Sequence, residues 1–158
     1  MNEFMKTAKE LADRNLEENA GGPFGACVVL DGKIIGKGYN HVLKNNDPTA
    51  HAEVMAIRDA CQTIHSYDLS RCELYTSCYP CPMCLGAIIW SNIRMVYYGN
   101  TKEDADRIGF RDDRIYSFLE KLGKNEEDKD LLNLQSMDRE ETIKTFNDYR
   151  KKEDKTIY

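Results

Sequence analysis

A chain of 158 residues, 41% hydrophobic and 31% charged, reads as one globular domain, 1–158, able to bury about 70% of the surface its unfolded chain exposes. Its net charge of −5 argues against a broad polyanion-binding surface, which needs clustered Lys and Arg, so extended nucleic-acid contact is not expected. No apolar run reaches the ~18 residues of a membrane span and no secretory signal is visible, so the expected setting is the cytoplasm, where six cysteines are thiols or metal ligands.

Phe4, Met5, Ala8, Leu11, Ala12 and Leu16 recur at helical spacing and predict an amphipathic first helix, ended by Gly21-Gly22-Pro23. "GACVVLDGKIIGKGYN" predicts two strands around the two-residue turn Asp31-Gly32. Ala50, Val54, Ile57 and Cys61 place the next segment on a helix with an apolar back, with Asp47 or Thr49 as its cap. "CELYTS" is a short strand. "CYPCPMCLGAIIWS" starts with two prolines and then turns apolar, as a helix start does. "IRMVYYG" is another strand. Strands alternating with helices imply an α/β layered sheet. Beyond residue 101, "RIYSFLEKL" and "DREETIKTFNDYRKK" read as helices, the latter with Asp138 and Glu141 at capping-box spacing, and "KNEEDKD" is a solvated turn. The charged tail ends in two large side chains, Ile157 and Tyr158.

Cys78, Cys81 and Cys84 stand three apart in "YTSCYPCPMCLGAII". The C-x2-C-x2-C-x3-C run of iron–sulfur proteins would need a fourth cysteine where Ile88 stands, and none follows Cys84. Zinc is the better match. Structural zinc sites take four protein ligands, whereas catalytic sites keep three and leave a position for water. At a helix start Cys81 and Cys84 face the same way, and the helix N-terminus favours their thiolates. Of three histidines, His41 and His65 lack a short His-x-Glu arrangement, whereas His51 has Glu53 two residues on. Positions i and i+2 do not face each other inside a helix, so the pair works only at a helix entrance.

His51-Ala52-Glu53 followed by Pro80-Cys81-Pro82-Met83-Cys84 is the signature of zinc deaminases. Zinc lowers the pKa of water from ~15.7 to about 7, and an adjacent carboxylate moves the proton to the leaving amine. Cys78 as a fourth ligand would instead close the site as a structural, non-catalytic zinc module. Cys27, Cys61 and Cys72 fit small buried hydrophobes.

On these residues the chain resembles the cytidine deaminase-like superfamily, and more closely the small bacterial guanine deaminases. "GGPFGACVV", "NDPTAHAEVMAIRDAC", "LYTSCYPCPMCLGAIIW", "GFRDDRIY" and the terminal Tyr158 carry that resemblance. It implies a three-layer α/β/α fold with a central mixed five-stranded sheet, and hydrolysis of guanine to xanthine and ammonia. It implies Zn2+ on His51, Cys81 and Cys84, Glu53 as proton shuttle, Asn40 and Asp112 hydrogen-bonding the purine, and Phe24 stacking on it. It also implies a homodimer that exchanges a C-terminal segment, about 138–158, so that Tyr158 closes the partner's pocket. From the residues alone, Asn40 fits a turn nearly as well, Asp112 a helix cap (Asp113 could take either of its two roles), and Phe24 the core. The tRNA adenosine deaminases share the metal motif, and guanosine or another nucleoside differs from guanine only in the room its sugar needs. One departure stands out: Tyr79 occupies the place where guanine and tRNA adenosine deaminases usually carry Glu before Pro-Cys, and so bears on pocket polarity.

Overall fold

The computed structural model describes all 158 residues, which form two compact units, Met1–Asp113 and Arg114–Tyr158. The first unit opens with α1 (Glu3–Asp13), whose N-cap Asn2 accepts from the Phe4 and Met5 amides at 2.9 and 3.1 Å. A break at Arg14 starts the short α2 (Asn15–Glu18), and left-handed Asn19 ends it. The break alters the expected apolar stripe. Leu16 is left 70% exposed, while Asn15 turns inward. Strands β1 (Gly25–Leu30) and β2 (Lys33–Tyr39) follow, joined through Asp31 and Gly32. Both turn residues have positive φ, 49° and 74°, as a tight hairpin turn with right-handed strand twist requires.

After α3 (Val42–Asn45) come α4 (Ala52–Ile64), β3 (Cys72–Cys78), α5 (Pro82–Trp90), β4 (Met95–Asn100) and α6 (Lys102–Arg107). The sheet order is β2-β1-β3-β4. Strand β1 runs antiparallel to β2 and β3, and β3 runs parallel to β4. The sheet is therefore mixed but has four strands, not five. No alternating run follows β4: the chain enters α6, turns at Gly109 with φ 97°, and continues into helices.

Alternation along β1 builds the layers. Ala26 and Val28 pack with Ala52, Ala56, Ala60 and Ile88 of α4 and α5, while Cys27 and Val29 pack with Phe4 and Met5 of α1. Small residues let α4 lie close on the sheet. A Cβ at Gly36 or Gly38 would collide with the backbone of Ala56 or Ala52. That seating holds the start of α4 beside the ends of β2 and β3.

The second unit carries nearly all of α7 (Asp113–Gly123) and the whole of α8 (Arg139–Lys151). None of its residues is buried, although Ile115, Leu119, Leu122, Phe146 and Tyr149 are apolar or aromatic. Lys121 and Asp128 pair at 2.6 Å, which raises the lysine pKa and lowers that of the carboxyl. Asp138 adopts φ 51° and makes no side-chain cap, while Glu141 pairs with Lys144, so the expected capping box does not form. The capping box that does form is Thr101 with Asp104 on α6. No helix is long and apolar enough to cross a membrane.

Candidate metal centre and base cavity

His51 is the N-cap of α4 and Cys81 the N-cap of α5, both with extended backbone. Pro82 then opens α5, which puts Cys84 in its first turn. Asp47 and Thr49 do not cap α4. The Asp47 carboxylate instead accepts from the Thr49 amide and hydroxyl at 2.8 and 2.6 Å, and this turn delivers His51 to the helix start.

The His51 Nδ1 lies 3.5 Å from the Cys81 sulfur and 3.6 Å from that of Cys84. The three donor atoms fall within 4.8 Å of one another. The neighbouring Cys84 and His51 hold the Cys81 pKa down at about 4, while Cys81 and burial push Cys84 up. His51 is raised by its hydrogen bond with Cys81. One imidazole nitrogen and two sulfurs, one already a thiolate, suit zinc, and three protein donors are one fewer than a structural zinc site uses. Cys78 stands outside the group. Its thiol donates to the Thr101 carbonyl at 3.4 Å, and burial lifts its pKa to about 11.

Glu53 is buried directly beside these donors. Thr76 Oγ1 donates to its Oε1 at 2.8 Å, and the Cys84 sulfur lies 3.3 Å from Oε2. Burial raises the Glu53 pKa, opposed by its own backbone amide and by Thr76. A carboxyl that readily holds a proton therefore faces the sulfur pair.

A cavity of about 410 Å³ opens over the group, lined by His51, Glu53, Cys81, Phe24, Asn40, Asp112, Tyr79 and Phe110 among others. Asn40 is both turn former and cavity wall. It is buried, and its Oδ1 accepts from the Val42 amide at 3.0 Å. Phe24 likewise packs on the core and lines the cavity, meeting Phe110 edge-on at 4.9 Å. The Asp112 pKa is raised by burial and by the nearby Cys81 sulfur, whereas Asp113 begins α7 and faces Arg111 at 3.3 Å. Seven of the eight residues singled out in the sequence thus gather at one place. Tyr158 lies in the second unit and is 79% exposed.

Three contributors escape a sequence reading. Thr76 orients Glu53, and Phe110 walls the cavity. Buried Asn15 donates to the carbonyls of Gly22 and Asn40, each at 2.8 Å, and accepts from Ala20, tying the Gly-Gly-Pro loop to the end of β2. Only Phe110 has a sequence signal, its place in "GFRDDRIY".

The fold and this centre define a zinc-binding deaminase domain. The model of the cytidine and deoxycytidylate deaminase zinc-binding region matches residues 1–100, and the chain belongs to that family. Guanine deaminase of Bacillus subtilis (strain 168) is 52% identical over 118 residues, 75% of this chain and 76% of that protein. A solved structure of guanine deaminase from Bacillus subtilis matches with a TM-score of 0.90 at 42% identity, covering 100% of this chain and 99% of the other. The tRNA-specific adenosine deaminase of Buchnera aphidicola subsp. Schizaphis graminum is 44% identical over 105 residues, 66% of this chain and 69% of that protein.

Proposed function

We propose that this protein hydrolyses guanine to xanthine and ammonia. The observation that carries the reading is the buried Glu53, its pKa raised by burial, beside the His51–Cys81–Cys84 group in the wall of one cavity with polar and aromatic sides. His51, Cys81 and Cys84 hold zinc, which supplies the Lewis acidity that makes water a nucleophile at neutral pH. Glu53 takes a proton as the oxygen of water bonds to the amine-bearing ring carbon. It returns that proton to the amine, whose carbon–nitrogen bond then breaks to release ammonia. Thr76 holds Oε1 while Oε2 faces the Cys84 sulfur on the metal side, so Oε2 is the oxygen placed to move the proton.

Asn40 and Asp112 give the base edge its polar partners, without which burying its N–H groups would cost several kcal/mol. Phe24 supplies the stacking face. The second unit has apolar side chains and no buried residue, which fits a homodimer in which segment 138–158 packs on the partner and Tyr158 closes its cavity. Six free cysteines, two of them at the metal site, fit the reducing cytoplasm.

Ammonia release from guanine, guanosine, adenine, cytosine and an adenosine-bearing tRNA stem-loop tests the reading. Guanine is expected to exceed every other compound in kcat/KM by at least about a hundredfold. Turnover of the tRNA stem-loop alone would replace it with the adenosine reading.

A further inference from the structure

Tyr79 is fixed from three sides. Its backbone amide donates to the Asn100 carbonyl at 2.8 Å. Its ring meets the Tyr98 ring edge-on at 5.0 Å and 78°. The Lys102 ammonium lies 5.2 Å from the ring centroid, and Lys102 is itself set as the first residue of α6, behind the Thr101–Asp104 capping box. The ring so held is part of the cavity wall, next to Cys78 and Cys81. Phe24 and Phe110 supply a second aromatic pair in the same lining. A neutral ring held in one orientation by a cation is suited to a planar, uncharged ligand, because its rotamer is fixed before binding.

We propose that Tyr79 is a specificity-determining residue whose ring contacts the bound purine, and that Lys102 is a positioning residue that acts through it. The proposal rests on the guanine reading above. The contact is assigned to the ring, whose orientation Tyr98 and Lys102 set.

The test measures kcat and KM for guanine, and the Kd of the product xanthine by calorimetry. Tyr79→Phe, which keeps the ring, is expected to raise KM and the xanthine Kd less than Tyr79→Ala does. Tyr79→Ala is expected to raise KM and the xanthine Kd about tenfold, with kcat within about threefold. Lys102→Met is expected to raise both constants about two- to five-fold, Lys102→Arg to restore them, and Lys102→Met to add nothing in the Tyr79→Ala background. Should Tyr79→Ala fold poorly, Tyr79→Leu keeps bulk without the ring, and the same tenfold loss is expected.

If guanine is turned over and neither Tyr79→Ala nor Tyr79→Leu weakens binding, this inference fails and the guanine reading stands. Additive losses in the double variant would remove Lys102 from it. A parent protein that leaves guanine intact overturns both.

Discussion

His51 Nδ1 and Cys81 Sγ lie 3.5 Å apart, and each belongs to the residue that caps the N-terminus of its helix. Neither side chain caps its own helix. Both helix starts thus turn their free amide ends toward one spot, where partial positive charge favours thiolate over thiol. The Cys84 backbone amide adds to this, and the Cys81 thiol is held at about 4.

Proton release on metal loading follows. At pH 7 Cys81, held at about 4, has no proton to lose, Cys84, pushed up by Cys81 and burial, keeps one, and Cys81 shifts His51 toward its protonated form. Titrating zinc into metal-free protein in buffers of different ionisation enthalpy is expected to show between one and two protons released per metal. A value near three would put a proton on Cys81 and contradict its depressed pKa.

Glu53 is expected to be indispensable for turnover and a liability for stability. Glu53→Gln keeps shape and the hydrogen bond from Thr76, but cannot accept a proton. A loss in kcat of about 10²- to 10⁴-fold with zinc retained is expected. The folded state raises the Glu53 pKa, so it binds more protons than the unfolded chain, and stability falls as pH rises through that window. Metal-free Glu53→Gln should therefore melt a few degrees above the parent at pH 8 and gain less at pH 4.5. A larger gain at the lower pH would reverse the assigned sign.

Thr76 tunes the same carboxyl. Its hydroxyl donates at 2.8 Å and lowers the Glu53 pKa against burial. Thr76→Val removes the donor at nearly constant volume, so the pKa rises further. The acid limb of kcat/KM against pH is expected to move upward, with about a tenfold loss near neutrality. An unmoved limb with normal zinc content would mean that Glu53 does not set it.

His51, Glu53, Cys81 and Cys84 are legible in the sequence because their chemistry sits in two short patterns at helix starts, where local spacing decides direction. The strand pattern is legible for the same reason: β1 through β4 are bounded by turns that local residues dictate. What escapes is set by tertiary placement. Asp47 and Thr49 look like caps because caps are usually Asp or Thr, yet the cap position goes to His51, whose ring faces the sulfurs of Cys81 and Cys84. Leu16 fits a helical stripe until Arg14 breaks it and three backbone groups claim the Asn15 amide. A fifth strand follows from resemblance alone, and the segment after β4 has no alternation to form one.

Asn15 gives the sharpest test of how the cavity is held. Its amide group satisfies three backbone groups, two of them carbonyls, the part-buried one of Gly22 on the Gly-Gly-Pro loop and the buried one of Asn40. Asn15→Ala strands those groups at about 1–3 kcal/mol each where water cannot reach them. It is expected to lower Tm by about 5 °C or more. If Asn40 hydrogen-bonds the base, it should also raise KM for guanine more than it lowers kcat, because Glu53 and the metal donors stand on other elements. Asn15→Asp keeps the acceptor for Ala20 but loses both donors, so its loss should fall close to that of alanine. A melting shift with unchanged KM would leave Asn15 a purely structural bracket and separate the Asn40 position from base affinity.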